Sequence, residues 1–497
     1  MQATVHLDTH HHVGMVDRRI FGGFLEHLGR AVYEGIYDPG NPLSDKNGFR
    51  TDLLQLLKPL GMPIVRYPGG NFVSCYDWRD GVGPKADRPV RPDYAWRSRE
   101  TNQFGTDEFM AWCKQLKTEP MMAVNLGTLG TANAGEMVEY CNLPTGTYWA
   151  DRRKANGQTE PYNVKLWCLG NEMDGIWQAG HVPADEYARR AGQAAVMMKG
   201  MDPTIETIAC GSSYRAIPSY MHWERTVLEY AWEQIDFISA HRYSENWRND
   251  SAWFLAEGVE IDRVIEDYAA LIGYVRAVKR SNKQVYLSFD EWNVWYKDRA
   301  GDGKWQTAPH LLEEVYNLED ALVCAQYLSS FIRHADTVKI ACIAQIVNVI
   351  APILTRKQGV LIQSTYYPFQ LYSQHANGVS LRPSITSATY KAGERGDVPA
   401  IDFSATYDAA TQQVSLFLVN RDQDQSGAVN VQIDDMTIDK VIGADTMGGG
   451  DLKAANNWEH PDVIKPSPTQ PIMVNRGIRV QIPAPGMTVV RCHVTPR

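Results

Sequence analysis

The chain has 497 residues, enough for two or three domains, or for one large barrel with a smaller companion, and enough to bury substantial cores. Its formal net charge of -9 argues against nucleic acid as a partner and favours a neutral or small one. The 14 Trp and 24 Tyr suit the flat apolar faces of sugars, although large cores use them too.

The first residues, Met1 to Asp8, show neither the basic flank nor the apolar stretch of a signal segment, and no later run is long and apolar enough to span a bilayer. Eight scattered Cys form no CxxC pair and read as small buried hydrophobes, so a reducing cytoplasm is the expected home. Residues 1–15 contain an alternating segment, Ala3 to Asp8, expected to add an N-terminal strand to the tail domain described below. The run His10-His11-His12 reads as a solvated turn rather than a metal site.

From residue 16 to 385 one rhythm repeats: a short apolar run, polar groups at its end, then a helical stretch. Eight runs are predicted as strands: Ile20–Leu25, Pro63–Tyr67, Pro120–Val124, Val164–Gly170, Thr207–Cys210, Phe237–Ala240, Val285–Phe289 and Val338–Ala344. Helices are predicted from Thr106, over Asp185–Met198 and over Asp262–Val278. Eight such units predict an α/β fold of the (β/α)8 TIM barrel type. An open doubly wound sheet is the structural rival, but Gly22-Gly23 and Gly69-Gly70 build neither a GxGxxG nor a Walker A loop. Residues 386–497 change character. Val414–Val419, Gly427–Ile433, Ile478–Ile482 and Met487–Val494 alternate between turn residues and predict a C-terminal all-β sandwich.

Barrel enzymes place their chemistry where strands end. The predicted ends carry Glu26 with His27, Arg66 with Asn71, Asn125, Asn171 with Glu172, Ser212 with Ser213, His241 with Tyr243, Glu291 with Asn293, and Gln345 with Asn348. So many neutral hydrogen-bonding groups suit a ligand covered in hydroxyls. Two carboxylates facing one cleft are the minimum equipment for cleaving a glycosidic bond. Glu172 is the candidate general acid/base, in a cleft expected to be walled by Trp167 and Trp177. Glu291 is the candidate nucleophile, kept ionised by Arg66, His241 or the Tyr243 hydroxyl. Retention needs carboxyls about 5–5.5 Å apart and inversion about 6.5–9.5 Å, a distance that sequence leaves open. Either Glu alone is as well explained by pairing with an Arg or capping a helix. Glu26 competes for a catalytic role, as does Asp290, which strand periodicity points away from Glu291. Trp96, Trp167, Trp177, Trp292 and Trp295 are candidates for stacking on sugar or for ordinary packing.

The blocks Ile20–Tyr33, Val65–Ser74, Trp96–Thr106, Trp167–Gly175, Leu287–Trp295 and Ala344–Pro352 closely resemble the intracellular bacterial alpha-L-arabinofuranosidases of glycoside hydrolase family 51. The resemblance implies a barrel joined to a jelly-roll-like sandwich and a retaining, exo-acting hydrolase of terminal alpha-L-arabinofuranosyl units on arabino- and arabinoxylo-oligosaccharides. It implies Glu172 as acid/base and Glu291 as nucleophile. Glu26, Arg66, Asn71, Asn171, His241, Tyr243 and Gln345 would bind substrate, with Trp96, Trp177 and Trp295 bordering it. It further implies no metal, no cofactor, no membrane partner and a homo-oligomer, commonly a hexamer. The alternatives are a beta-xylosidase or endo-glucanase on a similar barrel, or a silent sugar-binding protein. Arg242 and Ile362 depart from the family pattern and are expected near the cleft mouth.

Overall fold

The computed structural model describes all of residues 1–497 except Ala300 and Arg476. Eight parallel strands close into a barrel in chain order: β1 (Gly22–Phe24), β2 (Ile64–Tyr67), β3 (Glu119–Val124), β4 (Leu166–Leu169), β5 (Glu206–Ala209), β6 (Phe237–Ser244), β7 (Tyr286–Val294) and β8 (Val338–Ala344). Each corresponds to a predicted apolar run. The first run is shorter as a strand than expected, because Arg18–Phe21 form a 3-10 turn capped by the Asp17 side chain. The predicted helices lie at Thr106–Leu116, Ala184–Met201 and Glu257–Lys279.

Apart from three two-stranded hairpins, the remaining strands form two sheets packed face to face. One has five strands, in the order Ser384–Ser387, Gln2–Leu7, Gly427–Ile433, Gly477–Ile482 and Ile472–Val474. Gln2–Leu7 runs parallel to Gly427–Ile433 and antiparallel to Ser384–Ser387. The other sheet has seven strands and includes His12–Met15, Val379–Leu381, Ile401–Asp408, Gln413–Asn420, Gly486–Pro496 and Met436–Gly448. Val5, Phe403, Leu416, Val431, Val480 and Val490 fill the space between them. His10 is exposed at the edge of this unit, with Nδ1 3.2 Å from Asp8 and 3.3 Å from Asp435.

The helix Leu318–Arg333 joins barrel to sandwich. Every residue from Leu318 to Ile332 is buried, as expected of a helix covered on all sides. Phe289 and Trp292 of β7 pack on its Tyr327 and Phe331. On the sandwich side, Arg333 donates to Asp402 at 2.9 Å and Ser404 donates to Ser329 at 3.2 Å.

Candidate active site

Two local backbone features bring the acidic side chains together. After β4 the chain turns through Gly170 (φ +88°) and Glu172 (φ +44°). A left-handed non-glycine residue is uncommon, and such residues cluster at functional sites. In β7 the ladder slips. Between Ser239–Ser288 and His241–Glu291, one residue of β6 opposes two of β7. Between Phe289–Ala341 and Trp292–Ile343, two of β7 oppose one of β8. This β-bulge lets neighbouring side chains face the same way. Asp290 and Glu291 both point into the barrel, which corrects the expectation from simple alternation.

Arg66 lies under this cluster, fully buried, with its guanidinium over the Phe24 ring at 4.7 Å. It donates to Glu291 Oε1 at 2.6 Å and to Asn171 Oδ1 at 2.7 Å. Asn171 in turn donates to Asn71 Oδ1 at 3.3 Å. The Tyr243 hydroxyl donates to Glu291 Oε2 at 2.9 Å. His241 bridges the acids: Nε2 is 3.0 Å from Asp290, and Nδ1 is 3.0 Å from Glu172 and 3.7 Å from Glu291. Burial alone would lower the His241 pKa, but Glu291, Asp290 and Glu172 raise it to about 10. The ring is an imidazolium at neutral pH and donates from both nitrogens. Burial would likewise raise Asp290, yet Arg66 and His241 hold it below the ordinary carboxylate range.

Ligand atoms of Glu172, His241 and Glu291 lie within 4.8 Å of one another. Within that spacing the His241 ring bonds Glu172 from one nitrogen and Asp290 from the other. Glu26 accepts from Phe72 N at 2.9 Å and Trp96 Nε1 at 3.0 Å, while its own backbone N–H donates to Gln345 Oε1 at 2.9 Å. A Cβ at Gly70 would sit 2.4 Å from Glu26 Oε2, so this glycine is required for the approach. Burial, with the charge on Glu291, pushes the Glu26 carboxyl up to about 8. Trp177 donates its indole N–H to Glu172 Oε2 at 2.8 Å and stacks on Tyr214. Trp295 meets Tyr243 edge-on at 5.4 Å.

These side chains surround one cavity of about 1250 Å³, lined by Glu26, Asn71, Trp96, Glu172, Trp177, Tyr243, Glu291, Trp295 and Gln345. Arg66, Asn171 and His241 are buried behind its surface; Arg66 and His241 contact the glutamates, and Asn171 bonds Arg66 and Asn71. Other candidates lie elsewhere. Trp167 is fully buried and donates to Val164 O at 3.1 Å, so it does not wall the cleft. Trp292 packs behind the barrel on Tyr327. His27 pairs with Glu100 at 2.7 Å among Tyr33, Tyr67, Phe72, Tyr76 and Phe104. Asn125, Asn293 and Asn348 hold loop backbone: Asn125 donates to Tyr76 O, Asn293 to Ala344 O and Asn348 to Arg30 O. Arg242 lines the cavity, but Ile362 does not; it pairs with Ile353 in a hairpin.

Sequence reasoning missed several contributors, Asp174 and Arg395 among them. Asp174 accepts from the Ser213 backbone N–H at 2.9 Å and from its hydroxyl, and burial pushes its pKa up to about 6. Its place two residues after Glu172 was an available signal. Arg395, far along the chain, also reaches the cavity, and nothing in its local sequence signals this.

Residues 56–257 match the family model described as "Alpha-L-arabinofuranosidase 1 domain", and residues 290–485 match "Alpha-L-arabinofuranosidase C-terminal domain". The chain is 49% identical over 428 residues to the Intracellular exo-alpha-(1->5)-L-arabinofuranosidase 1 of Bacillus subtilis (strain 168), covering 85% of this chain and 86% of that protein. It is 49% identical to the Intracellular exo-alpha-(1->5)-L-arabinofuranosidase of Acetivibrio thermocellus, covering 84% and 85%. The structure of a family 51 alpha-L-arabinofuranosidase from Bifidobacterium longum superposes with a TM-score of 0.95 at 40% identity, over 99% of each chain. With both halves of the chain and the whole fold matched, this glycoside hydrolase belongs to the alpha-L-arabinofuranosidases of family 51.

Proposed function

We propose that the enzyme removes terminal non-reducing alpha-L-arabinofuranosyl units by double displacement with net retention. The observation that carries this is the approach of a Glu172 carboxylate oxygen to within 4.8 Å of a Glu291 one. That is near the separation of about 5–5.5 Å needed for direct attack and short of the room an inverting water takes.

In the first step a Glu291 oxygen attacks the anomeric carbon. The bond to the glycosidic oxygen breaks, and Glu172 gives that oxygen its proton. A glycosyl ester on Glu291 results. In the second step water attacks the same carbon, Glu172 takes a proton from it, and the ester bond breaks. Arg66 and Tyr243 hold Glu291 as an oriented anion. Glu26, Asn71, Trp96 and Gln345 provide the terminal sugar's pocket.

The natural substrates are short arabino- and arabinoxylo-oligosaccharides within the cell. The names of the Bacillus and Acetivibrio relatives support an internal location and the α-(1→5) linkage. Among the described residues no helix is long and apolar enough to cross a membrane. A homo-hexamer is part of the same proposal, and sedimentation of the purified protein tests it.

The leaving group separates the two roles. Glu172→Ala should lose about 10²–10⁴-fold in kcat/KM on arabino-oligosaccharides, yet far less on an activated dinitrophenyl arabinofuranoside, which departs without a proton. Glu291→Ala should be inactive on both. Equal losses for Glu172→Ala on both substrates would contradict the assignment.

A further inference from the structure

The cavity holds more than one sugar. Pockets of roughly 300–1,000 Å³ take a whole drug-sized ligand, and this one is about 1250 Å³. Side-chain exposure along its wall rises from 6% at Glu291 to 39% at Arg215 and 75% at Glu394. The reacting pair therefore lies at the inner end, and the rest of the cavity opens towards solvent.

Part of that outer wall comes from outside the barrel. Thr389–Lys391 and Asp397–Pro399 form a short antiparallel hairpin, with a 3-10 turn at Gly393–Arg395. The hairpin is firmly seated. Ala392 and Val398 make a small apolar cluster with Ala256, joined by Tyr390 and Val259. Tyr390 donates to Ala252 O at 3.0 Å, and Arg421 donates to Pro399 O at 3.1 Å. Gly393 has φ +56°, and a Cβ there would lie 3.3 Å from Asp250 Oδ2.

This seat delivers Arg395 to the cavity. Its Nη1 donates to Trp253 O at 2.7 Å, and the guanidinium carbon lies 3.9 Å from the centre of the Trp253 ring. Its other terminal nitrogen donates to Glu257, which is buried and also accepts from Arg242 and from Ser244 Oγ. Arg242 stands on β6 between His241 and Tyr243, each of which touches a catalytic glutamate. One buried carboxylate thus ties the tip of a distant hairpin to the strand behind the reacting centre. Arg242, Trp253 and Arg395 all line the same cavity.

The geometry points to Arg395, held with Arg242 on Glu257, as a specificity determinant for the acceptor chain, the sugars beyond the bond that is cut. The hairpin forms a wall along the second and later sugar units, and the guanidinium N–H groups donate to their hydroxyl oxygens. Of its five N–H donors Arg395 gives one to Trp253 O and one to Glu257, and its side chain, 8% exposed, lines the cavity. This rests on the exo-arabinofuranosidase activity proposed above and adds a role for residues outside the barrel.

The test compares linear α-(1→5)-arabinotetraose with an aryl arabinofuranoside, which has no sugar beyond the cut bond. In Arg395→Ala the ratio of kcat/KM on the tetrasaccharide to that on the aryl substrate should fall about tenfold, through KM, the size of one lost charge-assisted hydrogen bond. Arg395→Lys keeps the charge opposite Glu257 and so keeps the fold; it should lower the same ratio by a smaller factor, because the planar fork is lost. An unchanged ratio in both variants, or a parallel loss on both substrates, would overturn the assignment and leave the hairpin as a buttress. Failure of the activity itself would show in the unmodified enzyme, which would then cleave neither substrate; failure of the wall assignment would show only in the variants.

Discussion

His241 is the residue on which the acidic cluster turns. Its two N–H groups reach Asp290 and Glu172, and Glu291 lies 3.7 Å from Nδ1. Asp290 touches no cavity surface and acts by fixing the charge and orientation of this ring. Asp290→Asn removes the anion while keeping the shape. We expect a loss of about 10²-fold in kcat, the order that misplacing a reacting group costs. The His241 ring, followed by NMR, should also lose its proton at lower pH, because it loses one of the charges that raise it to about 10. A ring that titrates unchanged in Asp290→Asn, with only kcat reduced, would show that Asp290 does not govern the proton on His241. Glu172 and Glu291 were legible in the sequence because each stands one residue beyond the end of an apolar run. Asp290 was misread because alternation assumes an unbroken ladder, and a bulge adds a residue without leaving a mark in composition.

At the scale of elements, the same physics explains which strands were legible. Strands buried on both sides announce themselves as continuous apolar runs, and all eight barrel strands did so. Met436–Gly448 did not. Its pairing with Gly486–Pro496 slips between Ile438 and Lys440 and again between Val441 and Gly443, so its apolar residues lose the period of two. Ile401–Asp408 presents Asp402, Ser404 and Thr406 to the barrel and Phe403 and Ala405 to the sandwich core, which hides its buried polar face. The helix Leu318–Arg333 makes that contact specific through Arg333, which bonds Asp262 on one side and Asp402 on the other. Arg333→Ala should lower stability by about 2 kcal/mol, the worth of charge-assisted hydrogen bonds with partners left half-buried. Urea denaturation would measure it, and a midpoint equal to that of the unmodified protein would contradict the role.

For the whole molecule, pH links site and stability. The His241 pKa rises from 6.5 to about 10 on folding. The proton is then bound more tightly by the folded state, so its contribution is complete below pH 6.5 and is lost as pH rises through about 10. Glu26, raised from 4.5 to about 8, acts in the same sense at lower pH. Melting temperature should therefore decline from pH 8 to 10, and His241→Gln should flatten the upper part of that decline. An equal decline in both proteins would remove His241 as its cause. The fold class, the order of the barrel strands and the two glutamates could be argued from residues alone. The participation of Arg395 could not, because it depends on where a hairpin distant in sequence comes to rest.

The central claim is that Glu291 carries the sugar between the two steps. A 2-deoxy-2-fluoro arabinofuranosyl donor with an activated leaving group slows both steps but spares the first enough to trap the ester. Peptide mass spectrometry after brief labelling should find one fluorosugar on the peptide containing Glu291, and none in Glu291→Gln. Labelling at Glu26 or Asp290 instead, or turnover of the donor with direct release of the inverted sugar and no labelled peptide, would contradict the account.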